Sequence, residues 1–194
     1  MSFRDLYNFC QALQAPISRK VLVPRVCELA KCSEPMIFAD GEINTTRLRG
    51  YFVRPDSDDA KYARFCRPSR PVIVFARGQG DEWKRFVVVK ELMHLFDDPL
   101  ETVSTAAEFD GLLEEFTAPA TDGMSSAFRS ENVCYWRALA VFCPEATRQE
   151  LERDVKKDPA QLEQAAKQLK LPQEVTINLF RSSFKQIVQM LICK

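Results

Sequence analysis

The spacing of apolar residues changes at Gly80, and this change constrains the fold more than any other feature of the chain. Before Gly80, short apolar runs bounded by turn residues predict three strands, at residues 36–39, 48–53 and 71–76. After Gly80, apolar residues recur every three or four positions almost to the end, which predicts helices. We therefore expect an α+β fold, rich in helix, with a small, mostly antiparallel three-stranded sheet and a C-terminal helical region.

The same periodicity predicts where the helices lie. Residues 3–14 and 17–32 should form two helices before the sheet, with Pro24 kinking or splitting the second. A third should run from an N-cap at Asp81 to about Asp97. Further helices are expected near residues 105–116, 130–142, 145–156, 159–170 and 173–192, and the longest loop is expected at 120–126.

Composition and charge exclude several classes of function. With 194 residues, 46% of them hydrophobic and 28% charged, the chain can bury one substantial core. Its formal net charge of +0 gives no overall attraction to nucleic acids or to anionic membranes, so we expect no membrane partner and no direct nucleic-acid binding. The charges at Arg4 and Asp5 and the lack of an apolar run near ~20 residues predict a cytoplasmic protein without a signal peptide or a membrane span.

Cysteine and histidine usage limits the metal chemistry that the chain can perform. The seven cysteines have irregular spacing and no CxxC pair, which favours reduced, mostly buried thiols. The single histidine is His94. Because zinc sites in peptidases usually take two or three imidazoles, this count argues against an ordinary zinc site.

A degenerate metallopeptidase motif surrounds this histidine, in the segment Lys90-Glu91-Leu92-Met93-His94. On a helix, residues 90, 91 and 94 lie on one face. In an HExxH helix two histidines bind zinc and the glutamate polarises the attacking water. Here Lys90 holds the first ligand position, and deprotonating it at neutral pH would cost about 4–5 kcal/mol, so the substitution is hostile to zinc.

The context of this motif resembles the ImmA/IrrE-type (minigluzincin-like) family of small zinc metallopeptidases. In that family a strand precedes a helix with an Arg-Phe pair, an apolar stretch and HELGHL, and here the matching segments are 72–75 and 85–95. Residues 138–145 resemble the family's FAxxLLMPE segment, and residues 166–172 resemble a later helix–turn segment. The resemblance implies a zincin-like domain over 1–156, followed by a C-terminal helical region, 157–194, that has a helix-turn-helix-like cadence and packs on the same core.

The resemblance carries functional residues over one at a time. His94 matches the second zinc-binding histidine, and Glu91 matches the catalytic general base, here vestigial. Counting back from Pro144 places Glu131 at the family's third zinc ligand, although Cys134 stands where the family has alanine. The first zinc-binding histidine has no counterpart, because Lys90 stands there, and Met93 replaces the glycine of HELGHL.

Three functional hypotheses follow. The first is a catalytically inactive, metal-free domain in which Lys90 pairs with Glu131 or Glu91; it would bind a protein or peptide partner, such as a transcriptional regulator in a phage-related system, and would need no cofactor. The second is a zinc-dependent endopeptidase that cleaves a regulatory protein, its metal held by His94, Glu131 and Cys134 with Asp97 or Asp98. The third is DNA binding by the C-terminal helices, but residues 173–181 are poor in cations, which favours a helix pair that completes the core.

Overall fold

The computed structural model describes residues 2–46, 48–54, 57, 61–67, 69–97 and 126–193, and it gives residues 126 and 127 as backbone alone. The helix predicted near 105–116, Asp98 and all but the end of the loop predicted at 120–126 lie outside these residues. The helix-rich α+β architecture is confirmed, with a three-stranded sheet and C-terminal helices. No helix among the described residues is long and apolar enough to cross a bilayer.

Two helices precede the sheet, α1 (Phe3–Gln11) and α2 (Arg19–Ala30). The N-terminus of α1 is closed by a capping box, in which the Ser2 backbone N–H donates to Asp5 Oδ2 at 3.2 Å. Pro24 lies inside α2 without splitting it. Pro24 and Lys20 are both exposed, so water can satisfy the Lys20 carbonyl that loses its helical donor.

The sheet is formed by β1 (Met36–Asp40), β2 (Gly50–Val53) and β3 (Val72–Ala76), in the order β1-β3-β2. β2 pairs with β3 antiparallel, whereas β1 pairs with β3 parallel, so the sheet is mixed rather than mostly antiparallel. Strands that follow each other in sequence favour antiparallel pairing, but β1 and β2 are not neighbours here because β3 inserts between them.

Helix α3 (Asp81–Leu92) packs against this sheet and carries the predicted motif. Gly50 permits the close approach, because a Cβ at this position would lie 2.4 Å from Val87 Cγ1 and 2.7 Å from the Val74 carbonyl oxygen. The N-cap is Gly80 rather than the predicted Asp81, and the α-helix ends at Leu92. A 3₁₀ helix, Met93–Phe96, continues it, as tightening of a last turn commonly does.

The C-terminal half is helical, with α4 (Ser126–Phe142), α5 (Glu145–Lys157), α6 (Gln161–Leu169), α7 (Gln173–Thr176) and α8 (Phe184–Ile192). The single helix predicted over 173–192 is wrong, since the 3₁₀ helix Ile177–Phe180 and the residues before α8 interrupt it. The apolar residues that recur at helical spacing in residues 165–179 are buried, namely Ala165, Ala166, Leu169, Leu171, Val175 and Leu179.

One apolar cluster joins both halves of the chain. It includes Leu6 of α1, Ile73 of β3, Leu92 of α3 and Leu179 near the C-terminus. Arg85 of α3 reinforces this packing, since its guanidinium donates to the Leu169 carbonyl at 2.6 Å and to the Lys170 carbonyl at 2.7 Å. Residues 157–193 thus share a core with the preceding residues, and the predicted boundary at 156 stays a prediction.

Arg148 ties α5 to the C-terminal helices, although the mixed charges of its segment resemble a solvated face. Its side chain is only 2% exposed and pairs with Glu145 at 2.6 Å and with Glu152 at 3.0 Å. It also donates to the Leu179 carbonyl at 3.2 Å and lies over the Phe184 ring. A buried guanidinium with this many partners fixes the geometry of the helices around it.

Replacing Arg148 with alanine should lower the free energy of unfolding by about 3 kcal/mol, because two carboxylates lose their buried partner and the core loses packing. Urea unfolding followed by circular dichroism measures the change. Lys156→Ala is the matched control, since Lys156 pairs with the same Glu152 at 2.8 Å but is 71% exposed. That variant should lose less than about 1 kcal/mol. Equal losses in the two variants would contradict the assignment of Arg148 as a buried anchor.

Candidate functional site

The side chains predicted to form a site meet between two helices. α3 supplies Lys90 and Glu91, and the 3₁₀ helix that follows supplies His94. Across from them, α4 supplies Glu131 and Cys134. The structure therefore brings together every predicted site residue that it describes, while Asp98 lies outside the described residues.

The Lys90 ammonium lies between two carboxylates. Its Nζ atom is 2.8 Å from Glu91 Oε1, and it donates a hydrogen bond to Glu131 Oε2. The Lys90 side chain is 13% exposed, that of Glu131 is 15% exposed and that of Glu91 is fully buried. Both acids that the motif analysis singled out thus contact the lysine rather than each other.

His94 links the same glutamate to a second acid. Its Nε2 atom is 3.0 Å from Glu131 Oε1 and 3.5 Å from Glu91 Oε2, while its Nδ1 atom is 3.0 Å from Asp97 Oδ2. The ring packs against Phe52 of β2 with centroids 5.8 Å apart. Because both ring nitrogens face carboxylate oxygens, the doubly protonated imidazolium satisfies all of these contacts.

Two residues that the sequence analysis missed hold Asp97 in place. Ser130 Oγ donates to Asp97 Oδ2 at 2.5 Å, and the Arg137 guanidinium pairs with Asp97 Oδ1. Arg137 also donates to the Met93 and Phe96 carbonyls at 3.4 Å, which caps the end of the 3₁₀ helix. The missed signal is spacing: residues 130, 134 and 137 recur at helical intervals and share the face of Glu131.

The surroundings of Glu131, Asp97 and Lys90 keep all three side chains ionised. Burial by itself would raise the pKa of Glu131, but the Lys90 ammonium and the His94 ring hold it well below its ordinary value. Burial opposes the charged form of Lys90 as well, yet Glu131 and Glu91 raise the pKa of this lysine. The pKa of Asp97 is likewise lowered, since its hydrogen bonds from His94 and Ser130 and the Arg137 charge outweigh burial.

The pKa values of Glu91, Cys134 and His94 are all raised. Burial raises the pKa of Glu91, and Lys90 compensates only partly; neither Glu91 oxygen has an aligned hydrogen-bond donor among the described residues. Burial also raises the pKa of Cys134 to about 11, so it is a thiol at neutral pH. Burial by itself would lower the pKa of His94, but the Cys134 sulfur, Glu131 and the hydrogen bond to Asp97 raise it.

Zinc does not fit the residues of this site as they are arranged. One set of donor atoms, from Glu91, His94 and Glu131, lies within 4.8 Å of one another, but the Lys90 ammonium contacts both of its acids. The other set, from His94, Asp97 and Cys134, is equally compact, but Arg137 pairs with Asp97 and the thiol is protonated. Since a metal would have to displace a bound cation in either set, the charge that zinc would supply is already present.

Comparisons of the chain with protein-family profiles, with curated proteins and with solved structures gave no match. The likeness to the ImmA/IrrE-type family therefore rests on the motifs in the sequence.

Replacing Glu131 with glutamine should lower the free energy of unfolding by about 3–5 kcal/mol, because the buried Lys90 ammonium loses a charged partner. The double variant Lys90→Met with Glu131→Gln should lose less than the sum of the two single variants, which a double-mutant cycle by urea unfolding measures. Lys84→Ala is the control on the same helix, since Lys84 pairs with Asp81 at 3.1 Å on the surface. Additive losses in the cycle would show that the pair contributes no coupling.

His94 makes the free energy of unfolding depend on pH above 6.5, the ordinary pKa of a histidine. Its folded-state pKa is raised from 6.5, so its contribution to the free energy of unfolding is fully present below that pH. The contribution is lost as the pH rises through the folded-state pKa. We expect the wild-type protein to lose stability relative to His94→Gln as the pH rises from 6.5, as urea unfolding at a series of pH values measures. Parallel curves for the two proteins would contradict this.

Proposed function

We propose that this chain is a catalytically inactive metallopeptidase-like domain of ImmA/IrrE type that acts as a protein-binding or regulatory module. One observation carries the proposal: the Lys90 ammonium contacts both Glu91 and Glu131, the residues that match the family's general base and third zinc ligand. A cation fixed to the chain then replaces the cation that such an enzyme would bind.

The state of Glu91 supports the absence of peptidase activity. A general base must reach the water whose proton it abstracts. The Glu91 side chain has no exposed surface, and the nearest charged atom to its Oε1 is the Lys90 nitrogen at 2.8 Å. An ammonium group also offers no open coordination position at which a peptide carbonyl could be polarised.

The retained network supports a role in recognition. Three acids, namely Glu91, Glu131 and Asp97, are balanced by three basic groups, namely Lys90, His94 and Arg137. This network holds α3 against α4 and so preserves the inherited scaffold without its chemistry. On this proposal the domain works in the cytoplasm and engages a protein or peptide, for which a transcriptional regulator is the class that the family resemblance suggests.

A zinc-dependent endopeptidase with an atypical metal site is the second candidate. It is favoured by the compact set of donor atoms from His94, Asp97 and Cys134, which lie within 4.8 Å of one another. Imidazole nitrogen, carboxylate oxygen and thiolate sulfur are all good zinc ligands. Arg137 pairs with Asp97 of this set, however, and Lys90 pairs with Glu131, which contacts His94, so both cations would repel an incoming dication.

Metal content separates the two candidates. The wild-type protein is purified without a histidine tag, incubated with zinc and desalted. It should then retain no stoichiometric zinc, as elemental mass spectrometry measures. Lys90→His removes the ammonium and adds a ligand opposite His94, so this variant should retain about one zinc per chain.

Lys90→Met is the matched control, because it removes the charge without adding a ligand and should retain less zinc than Lys90→His. Stoichiometric zinc in the wild type, lost in Cys134→Ser, would overturn the proposal in favour of the second candidate. A Lys90→His variant that folds but retains no zinc would remove Lys90 as the reason for the missing metal.

A further inference from the structure

The C-terminal end of α2 has a backbone geometry that brings two specific residues together. Lys31 adopts the left-handed conformation, with φ 55° and ψ 42°. The Cys32 N–H donates to the Cys27 carbonyl at 3.0 Å, and the Lys31 N–H donates to the Glu28 carbonyl at 3.3 Å. These two bonds define a Schellman motif, in which the side chains of the two residues five positions apart, here Cys27 and Cys32, commonly contact each other.

Both residues at those contact positions are cysteines. Cys27 is 4% exposed, and Cys32 is partly exposed. Their side chains hydrogen-bond to each other, next to the backbone bond from the Cys32 N–H to the Cys27 carbonyl. The spacing of the pair does not reveal it, because four residues lie between the two cysteines and no familiar redox motif has that spacing.

We propose that Cys27 and Cys32 form a thiol pair that low-molecular-weight disulfides, such as glutathione disulfide, convert reversibly into an intramolecular disulfide. The Cys32 thiolate attacks one sulfur of glutathione disulfide, forms a mixed disulfide and releases one glutathione thiolate. The Cys27 thiolate then attacks the Cys32 sulfur, closes the bond and releases the second glutathione thiolate. The two protons lost by the cysteines go to the two leaving thiolates, so two thiols are oxidised and one disulfide is reduced.

The order of the two steps follows from exposure, and their rate follows from acidity. Cys32 is reachable from solvent, whereas Cys27 lies beneath it and acts as the resolving thiol. Burial raises the pKa of Cys27 to about 12, and burial also raises the pKa of Cys32. Since the thiolate is the attacking form, the pair reacts slowly at neutral pH.

The test exposes the folded, full-length protein to glutathione disulfide, blocks the remaining thiols by alkylation and maps tryptic peptides by mass spectrometry. Trypsin cleaves after Arg25 and Lys31, so the expected disulfide joins peptide 26–31 to peptide 32–47. The joined peptide should disappear on treatment with reduced glutathione. Cys193 is exposed and serves as the internal control, since it should acquire a glutathione adduct in every sample treated with glutathione disulfide and lose it on treatment with reduced glutathione.

Two variants separate the steps of the reaction. Cys27→Ser removes the resolving thiol, so the glutathione adduct should accumulate on Cys32. Cys32→Ser removes the attacking thiol, so Cys27 should stay unmodified and alkylate only after denaturation. The proposal is overturned if wild-type protein shows complete modification of Cys193 and no joined peptide, or if the joined peptide forms only in denaturant.

Discussion

Glu91 and Glu131 approach each other from two helices in a site that excludes most of the surrounding water, and the Lys90 ammonium lies between them. Two buried carboxylates with oxygen atoms within 4.8 Å of each other would repel each other, and burial alone would favour their neutral forms. The lysine removes the repulsion, and Glu131 can then use its second oxygen to contact His94. His94 in turn contacts Asp97, and Asp97 pairs with Arg137, so the network continues from Lys90 to the end of the 3₁₀ helix.

Much of this architecture could be predicted because it depends on local patterns. The three strands come from short apolar runs bounded by turn residues, and the helices, including the one that bears Lys90, come from apolar residues at three- and four-residue spacing. Glu131 could be placed by counting along one helix. Glu91 and His94 needed only the spacing of a motif.

The features that could not be predicted depend on partners far away in the sequence. Ser130 and Arg137 matter because of Asp97, which lies on another element. The charged neighbours of Arg148 are typical of a solvated face, whereas its burial depends on the Leu179 carbonyl and the Phe184 ring. The parallel pairing of β1 follows from the position of β3 between the other strands, which no local pattern records.

Gly50 and Phe52 lie two residues apart on β2 and therefore face the same side of the sheet. Because Gly50 has no side chain, Val87 of α3 can approach it closely, and Phe52 packs against the His94 ring. Gly50 thus sets the distance between β2 and the helix, and the contact between Phe52 and His94 depends on that distance. A change in the volume of a single side chain at position 50 would be transmitted, through a rigid strand, to the imidazole at the centre of the ionic network.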